Sequence, residues 1–221
     1  AHAGGLVGQN GSASLEIKDC YNSGDVFALE DRTEAYAGGL IGSSNALCTV
    51  ERSYVSGAVS AESPGDGTSY AGGLEGYNTY AEAAYTDSFV LTGEISAAFA
   101  NTVCMPGASI SNVRVLAPVS GDINNNATGT VTAEEAGRQA AYTAAGWSFD
   151  GGTAAWRMKP GSPYPVLSWE PDSLSGRPVL QGQPKVVNLN FPQEGIAPNS
   201  GNMLYADVST LTTDQGEDAL G

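Results

Sequence analysis

The side chains of this sequence that could do chemistry are mainly carboxylates. Asp and Glu number 24, against nine Lys and Arg. A glycoside hydrolase needs two carboxylates about 5–10 Å apart in a groove. The candidates are Asp25, Glu30, Asp31, Glu34, Asp66, Glu82, Asp87 and Glu94. The basic residues form no cluster, which disfavours a lyase acting on acidic sugars. A polysaccharide-degrading enzyme therefore stays an alternative, and no residue is assigned a catalytic role.

The other reactive side chains are one histidine and three cysteines. A metallopeptidase site needs His-Glu-x-x-His, which His2 alone cannot supply, and Ser-His-Asp or Cys-His sites are disfavoured for the same reason. Cys20, Cys48 and Cys104 lack zinc-ligand spacing. We expect free thiols within a core, and a Cys20–Cys48 disulfide stays open. The sequence thus predicts a protein that is not an enzyme.

Calcium is the one cofactor that the sequence leaves open. Asp122 to Asn126 and Asp150-Gly151-Gly152 place oxygen ligands on turns, which suits a hard cation. Neither segment matches D-x-[DN]-x-[DN]-G, and Asx-rich turns usually satisfy their own backbone. We therefore predict no bound cofactor or metal, with calcium as the lesser alternative.

Charge and hydropathy narrow the class of partner. The net charge of −15 repels phosphate backbones and anionic headgroups, so nucleic acid is a poor partner. No stretch approaches the roughly 20 apolar residues of a spanning helix, and we expect no membrane insertion. The sequence opens inside a repeat motif without a signal-peptide pattern. We expect it to be a segment of a longer protein.

Two linked motifs recur along the chain, and they define the elements that position these side chains. Ala-Gly-Gly-Leu-x-Gly begins at Ala3, Ala37 and Ala71, with steps of 34 residues. An aromatic-x-x-Gly-x-Val/Ile motif keeps pace with it, with one residue inserted in the third copy. The first motif comprises Gly4, Gly5, Leu6, Gly8, Gly38, Gly39, Leu40, Gly42, Gly72, Gly73, Leu74 and Gly76, and the second comprises Tyr21, Gly24, Tyr54, Gly57, Phe89 and Gly93.

Each unit is predicted to form one rung of a coil. Short apolar runs lie between Gly, Asn, Ser and Asp residues, which predicts about three strands per rung. Because one rung cannot bury its apolar face alone, stacked rungs must share a core. We expect Gly4 and Gly5 to adopt positive φ at a corner. The glycines lack the spacing and the lysine of a phosphate-binding loop.

Alignment on Tyr21, Tyr54 and Phe89 predicts which side chains stack between rungs. Asp19, Arg52 and Asp87 alternate in sign two residues before the aromatics, and Lys18 falls beside Glu51. Neighbouring rungs lie about 4.8 Å apart, so such pairs are direct neighbours. Four residues before the aromatics, an apolar column of Ile17, Val50 and Tyr85 is expected.

The remainder of the chain changes character after residue 131. Thr132 to Glu135 has the form of a capping box before an Ala-rich run that stops at Gly146, which predicts one helix. The aromatics that follow include Trp147, Phe149, Trp156 and Tyr164. We predict a lid over the last rung, with a carbohydrate-stacking platform as the alternative.

The predicted domains are 1–131 (β-helix), 132–170 (capping helix and aromatic lid) and 171–221 (linker and incomplete Ig-like β segment).

The Ala-Gly-Gly-Leu-Val/Ile-Gly motif together with Cys20-Tyr21-Asn22-Ser23-Gly24-Asp25-Val26 resembles the GLUG repeat. That repeat occurs in bacterial surface adhesins and in non-catalytic parts of immunoglobulin A-cleaving metallopeptidases. Glu75 departs from the pattern, since Val or Ile is expected there. The tail, Gly182 to Val187 with Leu204 to Ser209, weakly resembles the first strands of a bacterial Ig-like repeat.

The resemblance implies a right-handed parallel β-helix, a bacterial cell-surface location and an adhesive role. It transfers no catalytic residue. The expected function is a secreted, non-enzymatic module for adhesion or surface presentation, with a carbohydrate-binding module or polysaccharide-degrading enzyme as the alternative. The expected partner is a host or cell-surface glycan or protein, and the tail could exchange strands with another chain.

Overall fold

Segments that are equally spaced in the sequence lie one above another in the structure. The computed structural model describes residues 1–80, 82–105, 107–118, 123–149 and 153–170. Within the described part of residues 1–131, all strand pairs are parallel, and neighbours within a sheet come from successive rungs. The fold is an all-β parallel β-helix, which confirms the predicted fold class.

Each of the first three rungs contains five short strands, two more than the sequence predicts. The extra strands arise because sharp corners divide the apolar runs, as at Asp19 between the second-motif aromatic and the strand before it. The strands are β1 (His2–Gly4), β2 (Val7–Asn10), β3 (Leu15–Lys18), β4 (Tyr21–Asn22), β5 (Val26–Leu29), β6 (Ala35–Gly38), β7 (Ile41–Ser44), β8 (Cys48–Glu51), β9 (Tyr54–Val55), β10 (Val59–Glu62), β11 (Ser69–Gly72), β12 (Glu75–Asn78), β13 (Ala84–Thr86), β14 (Phe89–Val90) and β15 (Ile95–Ser96).

Later rungs are shorter and lose strands, which is typical of terminal repeats. They contribute β16 (Phe99–Asn101), β17 (Ser109–Ser111), β18 (Arg114–Leu116), β19 (Ile123–Asn124) and β20 (Gly129–Val131). Stacking yields five sheets: sheet A (β1, β6, β11, β16, β19), sheet B (β2, β7, β12), sheet C (β3, β8, β13, β17), sheet D (β4, β9, β14, β18, β20) and sheet E (β5, β10, β15).

The register between rungs confirms the predicted columns. Ile17 pairs with Val50, and Val50 pairs with Tyr85; all three are buried. Leu40 and Leu74 are fully buried in the shared interior. Leu6 belongs to the same backbone column, because its N–H donates to Leu40 O at 2.9 Å. It is 47% exposed because it belongs to the first rung of the column.

The predicted charge column forms at a corner with left-handed backbone. Asp19, Arg52, Asp87 and Asn112 all have φ between 45° and 52°. Arg52 forms a two-pronged contact with Asp19 (2.9 and 3.0 Å), and Asn112 Nδ2 donates to Asp87 Oδ1 at 2.7 Å. Lys18 Nζ lies 3.0 Å from Glu51 Oε2. Asp and Asn tolerate this conformation well, whereas Arg52 adopts it inside an ion-paired column.

The glycines of the Ala-Gly-Gly motif allow two backbone segments to approach each other closely. The prediction of positive φ at Gly4 and Gly5 is wrong. Among the described glycines only Gly107, Gly146 and Gly161 have left-handed backbone. A Cβ atom on Gly38 would lie 1.8 Å from Ile41 O, and one on Gly39 would lie 2.2 Å from Gly73 O. The chain folds back so tightly that backbone of the same and the neighbouring rung occupies the space of a side chain.

The predicted single helix is two short helices, α1 (Ala133–Ala136) and α2 (Gln139–Thr143). The predicted capping box of Thr132 and Glu135 is present. The helix breaks because Gly137 ends α1 and Arg138 is extended, with φ −116° and ψ 134°. Glycine is a poor residue for a helix interior. The break allows Tyr142 to bury its ring and to donate its hydroxyl to Ala136 O at 2.7 Å.

The segment from 132 to 170 lies along the side of the coil, not only over its last rung. Trp147 Nε1 donates to Asp87 O in the third rung (2.6 Å), and Trp156 Nε1 donates to Asp19 Oδ1 in the first rung (3.1 Å). Antiparallel strands β21 (Trp156–Arg157) and β22 (Val166–Leu167) complete the segment. The side position follows from sheet D, whose column of Tyr21, Tyr54 and Phe89 needs an apolar cover.

Residues 1–170 form one compact unit. The predicted Ig-like strands of residues 171–221 lie outside the described residues. No helix in the described part of the chain is both long and apolar enough to cross a membrane.

Candidate binding surface

The structure does not gather the eight sequence-predicted carboxylates into one site: Glu30, Asp31, Glu34 and Asp66 lie on two stacked turns, and the other four lie elsewhere. Six of the eight are exposed, and Glu30 and Asp87 are partly buried. Asp87 accepts a hydrogen bond from Asn112, and Asp25 accepts one from the Ala58 N–H at 2.9 Å. Within the described residues, no three His, Cys, Asp or Glu side chains form a group that could hold a metal ion.

The described asparagines of the predicted calcium segments form hydrogen bonds within the protein. Asn126 Oδ1 accepts hydrogen bonds from the Thr102 hydroxyl (3.1 Å) and the Val103 N–H (3.0 Å), and its Nδ2 donates to Cys104 O at 2.6 Å. Asn124 Nδ2 donates to Asn101 Oδ1 at 2.9 Å. These amides satisfy neighbouring polar groups. Asp122 and Asp150 to Gly152 lie outside the described residues.

All three cysteines are free thiols, and no Cys20–Cys48 disulfide forms. Cys48 and Cys104 are fully buried, and Cys20 is partly buried. Burial raises the pKa of each thiol, and the carboxyl of Glu75 adds to the effect at Cys48 and Cys104. The thiolate is the reactive form of cysteine, and a raised pKa keeps these thiols protonated. They therefore act as small core residues.

The aromatic residues after the helices form a buried cluster. Trp147 and Trp156 are 3% and 0% exposed, and their ring centroids lie 4.4 Å apart. Phe149 and Tyr164 are partly buried against the same cluster. Tyr54 stacks on Tyr21 at 4.9 Å and donates its hydroxyl to Pro165 O at 2.8 Å. A carbohydrate platform needs exposed ring faces, and the two tryptophans do not supply them.

A second aromatic column, which sequence reasoning missed, lies on the outer side of sheet A. His2 stacks on Tyr36 with centroids 5.0 Å apart, Tyr36 on Tyr70 at 5.4 Å, and Tyr70 on Phe99 at 5.3 Å. Tyr77 from sheet B contacts both Tyr36 (4.8 Å) and Tyr70 (5.1 Å). We call His2, Tyr36, Tyr70, Tyr77 and Phe99 the ring face.

Alternation along the strands of sheet A directs the rings of His2, Tyr36, Tyr70 and Phe99 outward. Ala35 and Ala37 are fully buried on either side of the half-buried Tyr36, and Phe99 is 54% exposed. The signal was present in the sequence, since Tyr36 and Tyr70 directly precede the Ala-Gly-Gly motif and His2 holds the same place in the first copy. The register pairs His2 with Tyr36 and Tyr36 with Tyr70.

The border of the ring face on the side of sheet B carries amide and hydroxyl groups. His2 Nδ1 lies 2.6 Å from Ser43 Oγ, and Asn10 Nδ2 donates to Ser44 Oγ at 3.1 Å. Thr79 Oγ1 donates to Asn45 Oδ1 at 3.3 Å. Partial burial lowers the pKa of His2. The neutral imidazole is thus favoured at neutral pH.

The other border is acidic. Residues 30–34 connect β5 to β6, and residues 62–68 run from the last residue of β10 to β11; we call these two segments the acidic turns. They stack on each other, because the Glu30 N–H donates to Glu62 O (3.1 Å) and the Ser63 hydroxyl donates to Thr33 O (3.0 Å). Burial raises the pKa of Tyr36, and the charge of Glu34 adds to the effect. The ring face therefore has a negative edge.

One carboxyl lies inside the coil. Glu75 is fully buried in the column of Val7 and Ile41. Its Oε2 accepts a hydrogen bond from Asn78 Nδ2 at 2.9 Å, and its Oε1 has no partner among the described residues. Burial raises the pKa of Glu75 to about 8, against the opposing effect of the Asn78 hydrogen bond. Glu75 is mainly protonated at neutral pH.

Comparisons with known proteins bear on the fold. No family model matches the chain, and no curated protein matches it. A crystal structure described as "a putative immunoglobulin A1 protease from Bacteroides ovatus" is similar, with a TM-score of 0.59 and 20% sequence identity. The match covers 77% of this chain and 54% of that one, so this chain spans about half the length of its neighbour. At this identity the likeness concerns the fold.

Proposed function

We propose that this chain is a non-catalytic binding module of a bacterial cell-surface protein and that the ring face is its ligand-binding surface. The observation that carries the proposal is the outward stack of His2, Tyr36, Tyr70 and Phe99, with Tyr77 beside it. Tyrosine combines a large apolar area with a polar hydroxyl and loses little conformational entropy on binding.

The backbone beneath the ring face supports this role, because it is preorganised. Four of the five rings stand on four neighbouring strands of sheet A that hydrogen-bond in register, and Tyr77 stands on β12 of sheet B. A ligand therefore meets rings whose positions are already fixed, which reduces the ordering cost of binding. By contrast, the aromatics against sheet D are covered by residues 132–170 and serve the core.

The cell-surface location rests on the GLUG resemblance, and the similar Bacteroides ovatus structure is compatible with it. That structure is described as a protease, yet this chain matches only about half of it. We carry over no proteolytic activity. The module would present its ring face as part of a larger protein, in adhesion or in positioning a neighbouring domain.

We predict that Tyr36→Thr/Tyr70→Thr lowers ligand binding by at least about tenfold, since buried tyrosines are frequent binding hot spots. Threonine is β-branched and, like tyrosine, is favoured in strands. The measurement is binding of the labelled 221-residue chain to a printed array of oligosaccharides and purified extracellular matrix proteins. Trp169→Ser is the matched control, because Trp169 is 70% exposed and lies outside the ring face.

Wild type and the Trp169 variant should bind the same arrayed molecules within about twofold. Equal binding by the double-tyrosine variant would contradict the ring face as the binding surface. A reducing-sugar assay on the array's oligosaccharides tests the enzymatic alternative. Release of sugar ends by the wild-type chain would contradict a non-catalytic module.

A further inference from the structure

We infer that the ring face binds a basic polypeptide segment, rich in Lys or Arg, in preference to a sugar chain. This inference rests on the proposed function, and it adds the chemistry of the partner. The charges that border the rings favour a basic partner. The acidic turns carry five carboxylates and a single guanidinium: Glu30, Asp31, Arg32, Glu34, Glu62 and Asp66. The opposite border carries amides and hydroxyls.

Most of these carboxylates are available to a partner. Asp31, Glu34, Glu62 and Asp66 are exposed, and none of the four forms an ion pair within the described residues. Elsewhere on the coil, Asp19 and Glu51 pair with Arg52 or Lys18. The acidic border is thus unlike the charge column at the sheet C–D corner, where opposite charges neutralise each other.

The acidic turns lie next to the ring column. Glu34 is two residues before Tyr36 on the way into β6, and its charge adds to the effect of burial in raising the pKa of Tyr36. A partner that contacts Tyr36 therefore lies beside the Glu34 carboxylate, and its ammonium or guanidinium groups can approach the exposed Asp31, Glu62 and Asp66.

Ring stacking explains why a basic side chain fits better than a sugar. The rings are within 27° of parallel along the column, so each inner ring shares its faces with its neighbours. A pyranose needs a free ring face, whereas the aliphatic stems of Lys and Arg can lie along ring edges while their charged heads reach carboxylates. Acidic glycans meet repulsion at the same border.

The test compares two variants that remove the same number of charges. The probe is a fluorescent Lys-Ser repeat peptide, with a Glu-Ser repeat peptide and a neutral maltooligosaccharide as further probes. Glu34→Gln/Asp66→Asn alters the acidic turns. Glu16→Gln/Glu134→Gln removes two exposed carboxylates elsewhere, on β3 and α1. Fluorescence anisotropy with the full chain gives the dissociation constants.

The Lys-Ser peptide should bind wild type, and the acidic-turn variant should weaken it about fivefold or more, against less than about twofold for the control. The double-tyrosine variant should weaken it also. Equal weakening by both charge variants would show unspecific attraction to an acidic protein and overturn the inference. Tyr-dependent binding of the maltooligosaccharide alone would overturn it too, while the proposed function would stand. Failure of the peptide to bind wild type overturns the inference as well.

Discussion

Replacing Gly38 with alanine should destabilise the coil by at least about 3 kcal/mol, the upper range for overpacking. A Cβ at this position would lie 1.8 Å from Ile41 O, 2.5 Å from Gly76 N and 2.8 Å from Glu75 Cα. All three are backbone atoms of strands in register, so no side-chain rotation relieves the clash. The measurement is equilibrium denaturant unfolding followed by circular dichroism.

Gly93→Ala is the matched control for this prediction. Gly93 is also a motif glycine, yet nothing lies within 4 Å of its Cβ position, and its backbone is not left-handed. Alanine there should change the unfolding free energy by less than about 1 kcal/mol, and the change could be stabilising because the unfolded chain loses freedom. Similar stability of both variants would contradict close approach as the role of the Ala-Gly-Gly motif.

The buried carboxyl of Glu75 should make the stability of the coil depend on pH. Its pKa is 4.5 when unperturbed and about 8 in the folded coil. Between pH 4.5 and about pH 8, Glu75 therefore keeps a proton in the folded chain and has lost it in the unfolded chain. The contribution of Glu75 to stability is largest below about pH 4.5, falls by about 1.4 kcal/mol per pH unit as the pH rises, and levels off above about pH 8. Between pH 5 and 8 the loss from this one group is on the order of 4 kcal/mol.

Glu75→Val should remove this part of the pH dependence and raise the unfolding free energy at pH 7. Valine restores the residue type of the column, which otherwise contains Val7 and Ile41. Glu75→Gln is the control, because it cannot ionise but retains a buried polar group. Both variants should flatten the stability profile between pH 5 and 8, and valine should be the more stable. An unchanged slope in both would contradict a buried, neutral Glu75.

The columns of the coil could be predicted because repeat spacing translates directly into register. The pairing of Lys18 with Glu51 and of Arg52 with Asp19 follows from the alignment alone. The role of Gly38 could not be read in this way. Its neighbours Ile41 and Gly76 approach through the tight fold-back of two rungs, and sequence contains no record of interatomic distances.

The two aromatic surfaces show a different limit. The cluster around Trp147 and Trp156 was predicted to cover the last rung, but a segment of this length can equally lie along the coil. The aromatic column of sheet D needs an apolar cover, and this need decided the position of the segment. The ring face was missed because His2 differs in residue type from Tyr36 and Tyr70. Conversely, the departure at Glu75 was visible in the sequence, and its burial and raised pKa were not.

The central claim is that each rung lies directly on the next in the observed register. Ser60 pairs with Ser96 on neighbouring strands of sheet E, and Phe27 lies below Ser60 in the same column. Neighbouring Cα atoms about 4.8 Å apart suit a disulfide, whereas two rungs span about 10 Å and do not. The measurement is disulfide formation, by intact mass after thiol alkylation, in a Cys20→Ser background.

Ser60→Cys/Ser96→Cys should oxidise to one intramolecular disulfide under mild conditions, and Phe27→Cys/Ser96→Cys should retain free thiols. Oxidation of the second pair with free thiols in the first would contradict the stacked register, and with it the ring face and both stability predictions.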